Sequence, residues 1–495
     1  ALWGSRTALT DERGALSYDA LDASAARLAA ALRVRGGLGP GRRLGVLCRD
    51  HRGFLQAALA GARLGADLVP LGTDFAGPQL GAVLAREQVD VLVHDEEFAP
   101  LLRELDFPGL RVLAWHDGPT GELTLESLVA EGGSLGPAPH PAAPGRTVLL
   151  TSGTTGTPKG APRELSGGYG VSELLAMVPG ALGTLARLRP VPRAGDPLVL
   201  TPPLYHMLGF GAGFAALAAG APLVLRRRFD AERTLADVEA HRAGLLVAIP
   251  TMLMRIMDLP VAVRERYDTR SLRFVASGAA PLSPQLADAF MDAFGDVLFN
   301  GYGSTEVGAV SFATPADLRA APGTIGRAAP GVRVRILDAD GREVPVGTTG
   351  RVFVGSPQLF EGYSGGGTKE TVDGLMSIGD VGHADAAGRL FIDGRDDDMI
   401  VSGGENVFPQ EVEEHLADHP ALLDAAAVGV PDERFGQRLV AFVVVRPGAQ
   451  VTEQELQDHV RSSLARYKVP REVRFVGAIP RTSTGKIRRA QLLAD

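Results

Sequence analysis

One cysteine, Cys48, is all that this 495-residue chain carries, so no internal disulfide can form and no Cys-rich metal site can be built. Cys48 closes the apolar stretch Leu44–Cys48 and reads as a small buried side chain rather than a nucleophile. Lysine is almost as scarce: among 50 basic residues only Lys159, Lys369, Lys468 and Lys486 are lysines, and the rest are arginines. No long hydrophobic run is present either. The apolar stretch Phe210–Leu225 is broken by glycines and Pro222 and falls short of the roughly 20 residues a membrane-spanning helix needs. It reads as a helix over 210–219, a stop at Gly220 and a buried strand at Pro222–Leu225. Cationic excess is also missing. A net charge of −8 argues against a general nucleic-acid surface, which needs clustered positive charge. No secretory leader is visible. The chain begins at Ala1, without Met, close to its first strand signal at Thr7–Thr10; the expected location is the cytoplasm.

The rest is the texture of a multidomain globular protein. Helix and strand patterns alternate through the first 95 residues. Leu21, Ala25, Leu28 and Leu32 share a helical face, and strands are expected at Arg43–Cys48, Asp67–Leu71 and Val89–His94, separated by helices over 52–64 and 78–87. The segment 115–146, rich in Gly, Pro and His, reads as a surface connector. Alternation resumes over 147–300, with strands near 197–201, 222–226, 245–249 and 273–277. Such alternation implies an α/β fold with mainly parallel strands. From about 323, short strands at Val332–Leu337, Gly350–Gly355 and Leu390–Ile392 suggest a small β subdomain. A new unit begins after Arg395, which divides the chain into 1–395 and 396–495. The expected fold class is therefore α/β, with a large N-terminal domain of α/β subdomains plus a β subdomain and a small C-terminal α+β domain.

The scarce lysines point to the chemistry. Segment 151–160 reads Thr151-Ser152-Gly153-Thr154-Thr155-Gly156-Thr157-Pro158-Lys159-Gly160 and follows the apolar run Val148-Leu149-Leu150. Hydroxyls, glycine backbone N–H groups and one compact cation suit the oxygens of a polyphosphate. The spacing is not that of a Walker loop, since Lys159 lies three residues after Gly156 and is followed by Gly160. A second glycine-flanked lysine stands in Thr482-Ser483-Thr484-Gly485-Lys486. Between them lies Asn300-Gly301-Tyr302-Gly303-Ser304-Thr305-Glu306, whose glycines let a flat ligand approach, whose tyrosine can stack, and whose Glu306 is a candidate magnesium carboxylate. Asp380, in Ser377-Ile378-Gly379-Asp380, can hold a diol with its two oxygens. Its plain alternative is an Asp in a turn before Gly382.

Taken together, these motifs resemble the adenylate-forming ANL superfamily of acyl- and aryl-CoA synthetases, nonribosomal peptide adenylation domains and luciferases. The resemblance spans nearly the whole chain and rests on five segments in order: 151–160, Tyr302–Glu306, Ser377–Asp380, Gly394–Glu413 and Pro480–Arg489. It implies ATP-dependent activation of a carboxylic acid to an acyl-adenylate, followed by transfer to CoA. In that reading Thr151 to Lys159 would wrap the β- and γ-phosphates. Gly278, Ala279 and Ala280, with Asn300, Gly301 and Tyr302, would hold adenine, and Gly303 and Ser304 would complete the nucleotide site. Thr305 would lie near the α-phosphate. Glu306, with Thr154, would bind Mg²⁺. Asp380 and Arg395 would take the ribose, and Lys486 would bridge the substrate carboxylate and the α-phosphate region. His206 would gate the acyl pocket, beside Met207 and Gly209. Asp397 would be the hinge of a mobile C-terminal domain, and Gly403 and Gly404 would line the CoA tunnel.

Two features narrow the implied substrate. No acidic residue lies between 204 and 229, which disfavours an amino acid, and the Met-, Leu-, Gly- and Ala-rich stretch near 171–190 favours an apolar acyl group. No insertion precedes the hinge of the kind that fatty acyl-AMP ligases carry. Ala161-Pro162-Arg163-Glu164 departs from the common pattern after the phosphate loop. The alternative is an adenylating enzyme of a biosynthetic pathway with a non-CoA acceptor, either a carrier protein or an amine, or with an unusual acid. The resemblance also allows a homodimer.

Overall fold

The computed structural model describes residues 3–150, 159–163, 195–360, 362–364, 366–396, 398–402, 405–432, 436–483 and 485–493. Contacts divide the chain into two units. The first comprises Ala1–Gly278, Phe290–Phe299 and Gln358–Thr368; the second comprises Ala279–Ala289, Asn300–Pro357 and Lys369–Asp495.

The first unit is α/β throughout. Its helices start and stop where local chemistry dictates. Ser17 caps Tyr18–Gly36 by accepting from the Ala20 N–H, and Gly37 ends the helix in the left-handed conformation at φ 59°. His51 caps Arg52–Leu64, and Gly65 ends it at φ 67°. Two sheets lie within the unit. One runs in the order Leu110–Trp115, Val91–Asp95, Arg43–Leu47, Asp67–Pro70, Thr147–Leu150, Gly160–Arg163. All its pairings are parallel except the last, in which Leu150 stands opposite Gly160. The other contains Phe274–Gly278, Leu245–Val247, Leu198–Leu200, Leu223–Leu225, Thr7–Asp11 and Gly14–Ser17, parallel up to the closing hairpin. Leu9, Leu28, Leu32, Leu44, Phe54 and Leu223 are fully buried in one core that joins these sheets through the two capped helices. The predicted strands fall within a residue or two of those observed. Segment 115–146 is not all connector: Leu125–Gly132 is a helix, fixed by a reciprocal cap between Thr124 and Ser127. Leu125 and Leu128 are buried, an anchor that the surrounding Gly and Pro obscure.

The lone thiol is closed off. Cys48 is fully buried, with Sγ directed at the Val93 carbonyl. Beside it His51 Nε2 lies 2.8 Å from Asp95 Oδ1. The Gly53 N–H donates to His51 Nδ1 at 3.0 Å, which leaves the ring proton on Nε2. Burial, together with the Asp95 carboxylate, pushes the Cys48 thiol well up.

The second unit has more antiparallel strand. Strand Leu298–Ser304, whose residues from Asn300 belong here, turns at 305–307 into Gly308–Ala313. A five-stranded sheet follows, with Arg333–Leu337, Gly350–Gly355 and Leu375–Ala384 side by side; Thr371–Val372 and Leu390–Arg395 both pair with Leu375–Ala384. A further five-stranded sheet, built on the long pair Leu422–Asp432 and Gly436–Val445, packs helices Pro409–Ala417 and Glu453–Ser463 around Val412, Leu416, Leu456 and Val460. The α/β class, with a β subdomain and an α+β C-terminal portion, is as the sequence implies. No helix among the described residues is long and apolar enough to cross a membrane.

Candidate active site

Four of the predicted site residues meet in the second unit. Asp380 does not stand in a turn. It lies inside strand Leu375–Ala384, directly opposite Arg395 across the pairing. Arg395 Nη1 donates to Asp380 Oδ1 at 3.1 Å, and the Tyr302 hydroxyl donates to Asp380 Oδ2. Gly379 makes this possible. Its φ is +77°, and a Cβ there would come within 3.1 Å of Arg395 Nη2. A carboxylate can accept about four hydrogen bonds, so the two oxygens of Asp380 keep capacity for a pair of neighbouring hydroxyls. Burial raises the Asp380 pKa, against the pull of the Arg395 and Lys486 charges and the Tyr302 hydrogen bond. Burial, with the Asp380 charge, raises Tyr302 well above its usual value, so it remains a phenol that donates.

Lys486 completes the cluster. Its loop is a tight turn: Thr482 N–H donates to the Lys486 carbonyl and Gly485 N–H to the Thr482 carbonyl, both at 2.8 Å, with Gly485 at φ 81°. Arg481 pins the turn, donating to the Gly485 carbonyl at 2.8 Å while its other nitrogens grip Asp424 at 2.7 and 3.2 Å. The Lys486 side chain keeps contact with solvent yet stands amid dense protein. That crowding and the Arg395 guanidinium lower its pKa, while the carboxylates of Asp380 and Glu306 act the other way. The lysine therefore faces two anions and one cation, all from distant parts of the chain.

Segment 300–306 forms a hairpin. Asn300 is buried, and Gly303 must be glycine because a Cβ would lie 2.2 Å from the Gly308 carbonyl oxygen. Thr305 and Glu306 occupy the turn, and the Glu306 N–H donates to Ser304 Oγ at 3.3 Å. Ala279 takes a positive φ of 68°, rare for a residue with a side chain; it follows Gly278, the last residue of its strand. Next to the predicted hinge, Asp396 is bound by Arg351 at 3.1 Å and Asp398 by Arg489 at 3.4 Å.

In the first unit His206 precedes helix Met207–Ala218 as its N-cap and lies 4.6 Å, ring to ring, from Tyr205. Gly209 packs against the carbonyls of Pro203 and Pro202, whose oxygens would lie 2.2 and 2.5 Å from a Cβ. Sequence reasoning missed what holds this loop. The Leu204 N–H donates to Asp50 Oδ1 at 2.7 Å, and Thr73 Oγ1 donates to the Tyr205 hydroxyl oxygen at 3.2 Å. Burial pushes Asp50 up to about 8. Lys159 lies with Nζ 5.2 Å from the centre of the Tyr363 ring. Thr151 to Pro158, Asp397, Gly403, Gly404 and the stretch 171–190 lie outside the described residues.

Residues 1–364 match the family model described as AMP-binding enzyme, and residues 411–486 match the model of the AMP-binding enzyme C-terminal domain. The chain is 33% identical over 493 residues to the indoleacetate–CoA ligase of Aromatoleum aromaticum, covering 98% of this chain and 94% of that protein. It is 32% identical over 495 residues to the sulfoacetate–CoA ligase of Cupriavidus necator, with 98% and 93% covered. Among solved structures, ATP-bound MatB from Rhodopseudomonas palustris superposes with a TM-score of 0.84 at 28% identity, over 99% of this chain and 95% of that one.

Proposed function

Since the chain belongs to the AMP-binding enzyme family, we propose that it is an AMP-forming acid–thiol ligase, which joins a carboxylic acid to ATP as an acyl-adenylate with release of pyrophosphate and then passes the acyl group to CoA. The observation that carries the assignment is the convergence of Lys486 with Asp380, Arg395 and Glu306 in one charged cluster. A carboxylate and an α-phosphate repel each other. A flexible ammonium placed between them offsets that repulsion, and it can do so only if other groups hold the nucleotide still.

In this reading Asp380 takes the ribose hydroxyls, with Arg395 and Tyr302 fixing the carboxylate. Asn300 to Ser304 and Gly278 to Ala280 supply the adenine wall, Thr305 stands by the α-phosphate, and Lys159 serves the outer phosphates. Glu306 is the proposed magnesium ligand. A carboxylate in a hairpin turn is the kind of oxygen donor a hard cation prefers, and Thr154 is its proposed partner. When bound, Mg²⁺ would neutralise phosphate charge. His206 gates an acyl pocket that takes an apolar acid, Asp397 is the hinge of a mobile C-terminal domain 396–495 that follows the domain 1–395, and Gly403 and Gly404 admit the thiol arm.

The test is pyrophosphate release across short, medium, long and aromatic acids, with and without CoA. Products should be AMP and pyrophosphate, and thioester should appear only with CoA. ADP and phosphate as products would defeat the proposal. Turnover with a carrier protein or an amine, and none with CoA, would move the acceptor to the alternative class.

A further inference from the structure

Glu87 belongs to none of the motifs, yet it is fully buried at the end of helix Gly77–Arg86. A buried carboxylate persists only when its oxygens are satisfied. Here Arg86 Nε donates to Oε1 at 2.8 Å and Arg43 Nη1 donates to Oε2 at 3.2 Å. Arg43 also donates to the Glu87 carbonyl at 2.7 Å. The remaining partner comes from 277 residues away: Ser364 Oγ donates to Glu87 Oε1 at 2.7 Å.

Ser364 in turn holds Gly160, its N–H donating to the Gly160 carbonyl at 2.8 Å. Gly160 is the residue where the chain re-enters the sheet after 151–159, opposite Leu150. The fit is close. A Cβ on Gly160 would lie 2.5 Å from Ser364 Oγ, 2.7 Å from Glu87 Oε1 and 2.8 Å from Val148 Cγ1. One residue back from each partner, Lys159 Nζ lies over the Tyr363 ring. Tyr363 is itself held by a tight turn, its N–H donating to Gly367 O at 3.1 Å and its carbonyl accepting from Gly366 N–H at 2.9 Å.

We infer that Glu87 and Ser364 are positioning residues for the phosphate-binding lysine: they buckle the exit of the 151–160 segment to the sheet, so that Lys159 is presented at a fixed place rather than on a free-swinging strand end. The inference rests on the reading of 151–160 as the polyphosphate site. Fixing a flexible lysine before the ligand arrives lowers the ordering cost of binding. The buckle acts on ATP and has no part in acid or thiol recognition. Ser364→Ala is the mildest break, since Glu87 keeps both arginines.

The test measures the KM for ATP, the KM for the acid, and thioester formation from preformed acyl-adenylate, in the native enzyme and in Ser364→Ala, Glu87→Gln and Gly160→Ala. Equilibrium dialysis with ATP and the melting temperature accompany each variant. Ser364→Ala should raise the KM and the dialysis Kd for ATP by about tenfold, the ordering cost of a long side chain no longer fixed in advance. Its acid KM and its thioester half-reaction should stay near native, while its melting temperature falls by a few degrees for the lost bond to a buried carboxylate. Gly160→Ala should match or exceed it on the ATP side. An ATP KM and Kd within twofold of native in Ser364→Ala, or an equal rise in the acid KM, would overturn the inference. If Glu87→Gln or Gly160→Ala fails to fold, Ser364→Ala decides alone. A native enzyme that binds ATP but releases no pyrophosphate with any acid defeats the ligase assignment, while the dialysis comparison still decides on the buckle.

Discussion

Arg395 stands directly across the sheet from Asp380, and its guanidinium closes on the carboxylate at 3.1 Å. Tyr302 meets the other oxygen. Asp380→Asn removes the anion that faces both Arg395 and Lys486, leaving two cations opposed. The KM for ATP should rise on the order of 10²-fold, the cost of losing hydrogen bonds to a charged acceptor. Tyr302→Phe removes one hydrogen bond and should cost about tenfold. ATP titrations of pyrophosphate release check both, and unchanged values in both would remove this pair from the nucleotide site.

Gly379→Ala puts a side chain where φ is +77° and where Arg395 passes. Backbone strain alone should cost about 1 kcal/mol, and displacement of Arg395 should weaken ATP binding as well. Thermal melting and the ATP KM should both respond. A variant with native values would mean that Arg395 has room to move aside.

Lys486→Ala should lose adenylation by a factor on the order of 10² or more, because the repulsion between acid and α-phosphate is no longer offset. Given preformed acyl-adenylate and CoA, the same variant should still make thioester. Asp397→Pro should behave in the opposite way, since proline fixes φ near about −65° and a hinge must change its backbone angles. Timing each half-reaction separately decides. Equal losses in both steps for both variants would leave Lys486 as a general binding residue.

The pH profile follows from the same lysine. Crowding and Arg395 lower its pKa, so the ammonium is present at low pH and is lost as pH rises, earlier than for an ordinary lysine. Adenylation should fall on the alkaline side at a pH below the usual lysine range. Lys486→Arg, which keeps its charge throughout, should erase that inflection whatever its absolute rate. An inflection that survives in the arginine variant belongs to another group.

Glu306→Ala should slow adenylation on the order of 10²–10³-fold at limiting magnesium and leave melting unchanged. A magnesium titration of the variant is the measurement. A native response would place the metal elsewhere.

The sequence made the chemistry legible where the chemistry is local. The glycine-flanked lysines and the turn glycines stand out because composition and spacing within a few residues mark them. Strand positions read equally well, since buried parallel strands are near-continuous apolar runs. Supporting contacts were not legible. Tyr302 offers a ring that could stack, and nothing in its neighbours says that its hydroxyl serves a carboxylate 78 residues on. Arg481 looks like one more arginine among many, yet it steadies the Lys486 turn through Asp424, 57 residues away. Glu87 and Asp50 carry no motif, and only burial marks them. Such pairings are set by topology, and a single sequence holds no record of which strands become neighbours.

The sealed setting of Cys48 has a practical use. With the sole thiol of the chain walled in beside His51 and Asp95, maleimide reagents should find no background target on the folded protein. A cysteine introduced at exposed Val346, and another at exposed Tyr467, would then be the only labelled positions. A donor and acceptor dye pair placed there would let single molecules be watched through the catalytic cycle without first stripping the chain of native cysteines.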